Sequence, residues 1–278
     1  MGTLISIEMY KIFRKWRSYI GFITIAVLVT IIEIAMLAEG KNYLDFLTQT
    51  IRGSFVFVGN FINGYLISHL VLGLLTIHIP FLITLVSGDL LAGEATAGTY
   101  RMLITRPVSR TKLLVAKFLA GLIYTHALIL FLAVISLGLG LILFGGGELI
   151  VISDKIVIFA KDDILWRFAL AYGVAALSMT VVSALAFFFS SLVENAIGPI
   201  ISTMAIIIVF IIFSGLDVDF FRALRPYLFT TYMNTWKELF RDPVDLGEVI
   251  RSSLVLAGHI VGLFGITLYL FNRKDIVS

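Results

Sequence analysis

The chain has 278 residues, of which 59% are hydrophobic and only 14% charged, whereas a soluble domain carries about 25% charged residues. The lack of cysteine excludes a disulfide framework, thiol catalysis and Cys-ligated metal. A net charge of +3 is too small to imply a nucleic-acid partner, so the placement of the charges carries the information. Apolar runs of about 18 residues or more recur, each long enough to cross a hydrocarbon layer about 30 Å thick. These features predict a single all-α polytopic membrane domain over residues 1–278.

Residues 1–17 are the first element. Ile5, Met9, Ile12, Phe13 and Trp16 fall on one helical face, with Glu8, Lys11, Arg14 and Lys15 largely on the other. A basic amphipathic helix with a tryptophan on its apolar side fits the membrane interface. The apolar stretch Tyr19–Leu37 that follows is longer than the core of a signal peptide and is read as a retained span. Six spans are expected: Ser18–Leu37, Phe61–Ser87, Leu113–Phe144, Ile164–Leu192, Ala196–Phe213 and Leu254–Phe271. The third is about 48 Å long as a helix, so it must tilt, break near Gly138 and Gly140, or project into water. Pro80, inside the second, removes a backbone hydrogen bond and predicts a kink.

Basic residues set the orientation. With the N-terminus cytoplasmic, that side holds eleven Lys and Arg against five Asp and Glu, the expected excess. Both termini are therefore expected in the cytoplasm and the chain in the cytoplasmic (inner) membrane. Ala38–Asn60, Gly145–Asp163 and Ser214–Ser253 then lie outside. In the last of these, Phe220, Phe221, Leu224, Tyr227 and Leu228 repeat at helical spacing and predict a short helix on, or dipping into, the outer leaflet. Tyr227, Tyr232 and Trp236 read as interfacial anchors.

Tests for chemistry are mostly negative. A phosphate-binding P-loop needs GxxxxGK[ST]. Gly88 and Gly93 have the spacing but Glu94 follows, and after Gly93 and Gly98 come Thr99 and Tyr100. His69, His78, His126 and His259 stand singly, without the paired spacing of a zinc protease, and read as packing residues. Ser178, Ser183, Ser190 and Ser191 read likewise as small packing residues. Glu33 is the one acid well inside a span. No enzyme, cofactor or metal site is expected in this chain.

The largest basic interruption is Gly88–Phe118. Gly88, Gly93 and Gly98 punctuate helices, and Gly93–Thr99 suits a short helix crosswise to the spans. Pro107 ends any helix containing Arg101–Thr105, and Ser109 is placed to cap the long helix that Lys112 and Lys117 enter. On charge alone this stretch is equally a topological anchor that meets anionic lipid.

The segment GEATAGTYRMLITRPVSRTKLLVAKF resembles the signature region of type-2 ABC transporter permeases. In that family an acid, a Gly-Thr pair, a short Leu-bearing helix, Pro-x-Ser-Arg and a lysine early in the next span follow one another. Here these are Glu94, Gly98, Thr99, Leu103, Pro107, Ser109, Arg110 and Lys117. The interfacial first helix, the position between spans two and three, and a re-entrant-like segment at 214–253 fit as well. The resemblance implies that region 88–112 holds a coupling helix that docks on a separate ATP-binding subunit. It implies that Glu94 is the acidic contact, with Arg101, Arg106 and Arg110 facing the ATPase or lipid head groups. It further implies two ATPase copies that bind ATP and Mg, a second permease copy in a homodimer, and export as the activity. The alternatives are a stand-alone membrane enzyme or channel, and a permease-fold subunit that transmits mechanical work or a signal.

Overall fold

The computed structural model describes residues 1–49, 61–98, 108–153 and 155–273. Helix α1 (Gly2–Arg14) ends where Lys15 turns to extended backbone, and it carries Lys11 and Arg14 in its last turn, where positive charge complements the helix dipole. Ser18 Oγ closes the elbow by donating to the carbonyl of Ile12 at 2.6 Å. Helix α2 (Trp16–Thr48) follows at once and runs for 33 residues, about 50 Å. The expected outer loop beginning at Ala38 is thus helical as far as Thr48. Ala38, Glu39 and Lys41 are good helix formers, and Gly40 sits against the side chain of Ile62.

Asn63 starts α3 (Gly64–Leu75). Its Oδ1 accepts from the N–H groups of Tyr65 and Leu66 at 3.0 and 3.1 Å, and its Nδ2 donates to the carbonyl of Glu148 at 2.7 Å. Three residues, Thr76–His78, separate α3 from α4 (Ile79–Ser87), and the two helices are bent by 55°. Pro80 lies in the first turn of α4, where its missing N–H costs nothing. The expected kink is present, and the proline starts the second helix rather than breaking the first. Gly88 keeps helical angles, so α5 (Asp89–Thr96) follows α4 with only that residue between.

Helix α6 (Arg110–Phe144) is capped by Ser109, which accepts from the N–H of Lys112 at 3.3 Å. It runs unbroken for 35 residues, so the glycines at 138 and 140 do not interrupt it. Gly140 serves instead as a contact. A Cβ on Gly64 would lie 2.5 Å from the Gly140 carbonyl carbon and from the Leu141 nitrogen, so α3 and α6 meet backbone to backbone. The hydroxyl of Tyr124 donates to the carbonyl of Ser18 at 2.9 Å and ties α6 to the start of α2.

A correction to the all-helical expectation follows. β1 (Leu149–Ile152) and β2 (Ile156–Phe159) form an antiparallel hairpin. Both runs are rich in Ile and Val, which favour the pleated conformation. Beyond it come a 3-10 turn at Lys161–Asp163, α7 (Leu165–Leu192) and α8 (Gly198–Gly215). Then come α9 (Asp219–Leu224), a 3-10 turn at Arg225–Tyr227, α10 (Phe229–Tyr232), a 3-10 helix at Thr235–Phe240, and α11 (Leu246–Arg273). The predicted helix over residues 220–228 is therefore short and ends in the turn that carries Pro226. Tyr227 is 75% exposed, whereas Trp236, expected as an anchor, is fully buried and Tyr232 nearly so, because this segment folds down onto the bundle.

Among the described residues five helices, α2, α6, α7, α8 and α11, are long and apolar enough to cross a membrane, and they mark the chain as a mostly helical, multi-pass membrane protein. Helix α7 is their axis. Its most apolar stretch is 78% buried, against 17–28% in the other four, and α4, α6, α8, α11 and the Thr235–Phe240 helix pack around it. Overpacking a close contact costs about 1–3 kcal/mol. Gly64→Ala should therefore lower the thermal unfolding midpoint of the detergent-purified chain by several degrees. Gly138→Ala, which adds a methyl to open space, should leave that midpoint unchanged.

Candidate functional site

The residues of α1, α5 and α6 that could not remain alone in an apolar bundle converge on one another. Lys117, two turns into α6, has a side chain only 2% exposed. Its Nζ lies 2.7 Å from Glu8 Oε2 on α1 and 2.7 Å from Glu94 Oε1 on α5. Lys11, one turn along from Glu8, places its Nζ 2.9 Å from each of the same two carboxylates. Two lysines and two glutamates thus close a four-membered ring across three helices. A step away, Asp89 receives Lys15 at 2.6 Å and Arg17 at 2.7 Å. A cavity of about 30 Å³ lies among these groups, room for one or two waters.

A buried charge is costly unless it is paired, and the ring gives each ion two opposite partners. Burial acts first on Glu94 and disfavours its charged form. The Lys117 charge and its hydrogen bond, with those of Lys11, more than offset this and lower its carboxyl pKa to about 2. Burial likewise opposes the charge on Lys11, and the two glutamates raise its pKa above the ordinary 10.5.

Helix α5 is also fastened to α7. Ser190 Oγ accepts from the N–H groups of Leu91 and Ala92 at 3.1 and 2.9 Å and donates to the carbonyl of Gly88 at 2.6 Å. The hydroxyls of Ser87 and Ser183 are 2.8 Å apart, and Thr96 Oγ1 lies 2.9 Å from the carbonyl of Glu194. At the far end of α7, Arg167 is 5% exposed. Its Nη1 donates to the carbonyls of Leu239 and Arg241 at 2.7 and 3.1 Å, and its Nε and Nη2 bind Asp163 Oδ2 at 2.9 and 2.8 Å. The guanidinium also lies 4.3 Å from the centre of the Phe159 ring.

Among the residues singled out from sequence, Glu94 and Lys117 come together. Glu94 does not offer its carboxylate outward: the side chain is 12% exposed and is engaged by the two lysines. Gly98 follows α5 with φ +66° and open space around it, a left-handed turn suited to glycine. Arg110 opens α6. Thr99, Arg101, Leu103, Arg106 and Pro107 lie outside the described residues. Glu8, expected on the polar face of α1, is instead buried beside Ile12. Ser183 and Ser190 do more than pack. His78, in the joint after α3, bonds to the carbonyl of Leu74, and His126 bonds to the carbonyl of Leu122 on its own helix. His259 does the same and also reaches the carbonyl of Tyr227 at 3.2 Å.

Removing one member of a buried ion pair typically costs about 3–5 kcal/mol. Lys117→Met should cost at the low end of that range in thermal denaturation, because Lys11 remains. Adding Glu94→Gln to Lys117→Met should restore part of the loss. The acid limb has a defined sign. Glu94 is held below its ordinary 4.5, so its contribution is complete above that value and is lost as pH falls toward about 2. Hydrogen exchange of the α1 amides should accelerate across that window, and Glu94→Gln should reduce the dependence.

The family described as Protein of unknown function (DUF2705) matches residues 22–277 of this chain. The Uncharacterized protein YhcI of Bacillus subtilis (strain 168) is 26% identical over 206 residues, which are 70% of this chain and 63% of that protein. The match thus spans less than two thirds of the relative's length.

Proposed function

We propose that this chain, which belongs to the DUF2705 family, is the membrane subunit of a two-component ATP-driven exporter of the type-2 permease kind. The observation that carries this reading is the double attachment of α5. Ion pairs hold it to α1 and α6, and Ser190 holds it to the most buried helix of the bundle. A push delivered just after α5 therefore reaches α7, and through α7 reaches the outer segment that Arg167 holds. A coupling helix needs this connection. In this reading α3 and α4 together make the sixth span, region 88–112 faces the cytoplasm, and both termini lie on that side of the cytoplasmic membrane.

The partner is a separate ATPase, in two copies, which binds ATP and Mg, and a second copy of this chain completes the membrane part as a homodimer. Glu94 acts from within. It locks the coupling region to Lys117, and the docking surface falls to Gly98 and the residues after it. Gly98, Thr99, Arg101, Leu103, Arg106, Pro107 and Arg110 make up that surface, and the basic ones also suit lipid head groups.

The natural absence of cysteine makes the test clean. A membrane-impermeant maleimide should label Gly2→Cys and Ala97→Cys from the cytoplasmic side only, and Phe220→Cys from outside only. In membranes holding the ATPase subunit, Ala97→Cys should cross-link to a protein bearing a P-loop and an LSGGQ-type signature. Ser190→Ala should leave that complex assembled but lower transport per ATP hydrolysed severalfold. Outward labelling of Ala97→Cys, or transport by the lone chain without ATP, would overturn the reading.

A further inference from the structure

Glu33 departs from the pairing that the other buried charges of the bundle obey. It lies halfway along α2 and is 0% exposed. Neither Oε1 nor Oε2 has a hydrogen-bond partner, and both are shut off from water. The residue continues the buried stripe of Gly21, Ile25 and Val29 at four-residue steps. Helices α1, α3, α4 and α6 pack on α2, and none brings a counter-charge to it. There is no Asp, Glu, Lys or Arg on α3 or α4, and none on α6 past Lys117. The charges of α1 stand at the start of α2, where Glu8 and Lys11 belong to the ring. On α2 itself Arg17 is about 24 Å back along the axis, and Glu39, the nearest charge ahead, is about 9 Å on. The titratable rings of the neighbouring helices are engaged elsewhere. Tyr65 stacks on Phe168 and His69 meets Phe240, while Tyr124 and His126 bond to the carbonyls of Ser18 and Leu122.

An ionised carboxylate in such a place is far costlier than a neutral carboxylic acid. A metal ion needs room and several ligands; a proton needs neither. A route for one lies close by. A cleft of about 570 Å³ at the C-terminal end of α2 is lined by Met36, Leu37, Gly40, Leu143 and Phe144, with Lys41 also at its edge. At 3.6 residues per turn, Met36, Leu37 and Gly40 fall within about 60° of Glu33 around α2. The cleft therefore opens on the face that carries Glu33 and begins one turn away. Helix α6 borders both: Tyr124 and Leu128 lie against Gly21, and Leu143 and Phe144 line the cleft. Only 22% of the most apolar stretch of α2 is buried, so this seam is a lightly held edge of the bundle. We propose that Glu33 is a proton-binding site, occupied while α2 is packed on α6 and exchanging with solvent in the cleft when that seam parts. The exchange is a proton transfer alone: the O–H bond breaks, its electron pair stays on the carboxylate, and a solvent water takes the proton. It needs neither ATP nor a partner subunit, so it is tested on the chain alone and apart from transport.

The experiment is infrared spectroscopy of the full chain at neutral pH in dodecyl maltoside, a detergent without ester carbonyls. The carbonyl stretch of a protonated carboxyl should be present, shift down in heavy water, and shift again when the chain is made with isotopically labelled glutamate. Glu33→Gln should abolish it, and the labelled unmodified chain gives the assignment should that variant fail to fold. Leu143, 45% exposed, offers a way to plug the cleft after folding. Alkylating Leu143→Cys with N-ethylmaleimide should slow the heavy-water shift severalfold relative to the same variant left unalkylated. No protonated-carboxyl band, a band that the glutamate label does not move, or one that persists in Glu33→Gln would sink the proton site. An unchanged exchange rate after alkylation would sink the route through the cleft.

Discussion

An ammonium group deep in an apolar helix bundle must have counter-charges within reach, and Lys117 finds its own on two other helices. Glu8 and Glu94 are far from it in sequence and belong to α1 and α5. The need to neutralise one cation therefore fixes how α1, the short helix α5 at the end of the bent pair and the long helix α6 sit together. Each carboxylate is also held by Lys11, so no single contact carries the junction alone. Asp89, with Lys15 and Arg17, extends the same logic to the elbow between α1 and α2. Where hydrocarbon surrounds a bundle, hydrophobic burial no longer distinguishes one helix packing from another, and such polar contacts take over that role.

Helix α7 converts this local junction into a long-range one. At one end the Ser190 hydroxyl binds the backbone of α5 and its approach. At the other a buried arginine holds the carbonyl of Leu239 in the Thr235–Phe240 helix and that of Arg241 just beyond it. Interhelical hydrogen bonds of this kind contribute about 0.6–2 kcal/mol each in a membrane, enough in concert to make the elements move as one. The Thr235–Phe240 segment is thus fastened to the same helix as the region proposed to meet the ATPase, at the opposite end of a rod 28 residues long.

Much of this was legible in the sequence. Long apolar runs located five helices that can cross a membrane, Ser109 announced the start of α6, and Pro80 marked a bend. Glu94 and Lys117 stood out by motif, and they do meet. What stayed hidden has physical reasons. A span in lipid is apolar on every side, so periodicity does not show that Ser190 faces α5, and Trp236, in a short 3-10 helix between spans, has no periodic run from which its inward face can be read. Glu8 looks like a surface acid until Lys117, 109 residues away, supplies the reason to bury it. The hairpin at 149–159 is not legible, because two four-residue Ile/Val runs do not stand out in a chain that is apolar almost throughout. The extension of α2 to Thr48 is not legible, because polar residues such as Lys41 and Asn42 after an apolar run suit a loop and a helix that continues into water equally well.

The backbone contact between Gly64 and Gly140 has a mechanical consequence. It pins the N-terminal end of α3 to α6, and Asn63 adds a second tether to the carbonyl of Glu148. The run α4–α5 is pinned separately, to α7, by Ser183 and Ser190. Between these anchor points only Thr76, Ile77 and His78 fall outside a regular helix. Any relative rotation of the two anchored bodies is therefore concentrated at this three-residue joint, while the helices on either side act as stiff arms. Thr76 bonds its hydroxyl to the carbonyl of Leu72 at 2.6 Å, so one carbonyl near the joint already has a partner that travels with the α3 arm.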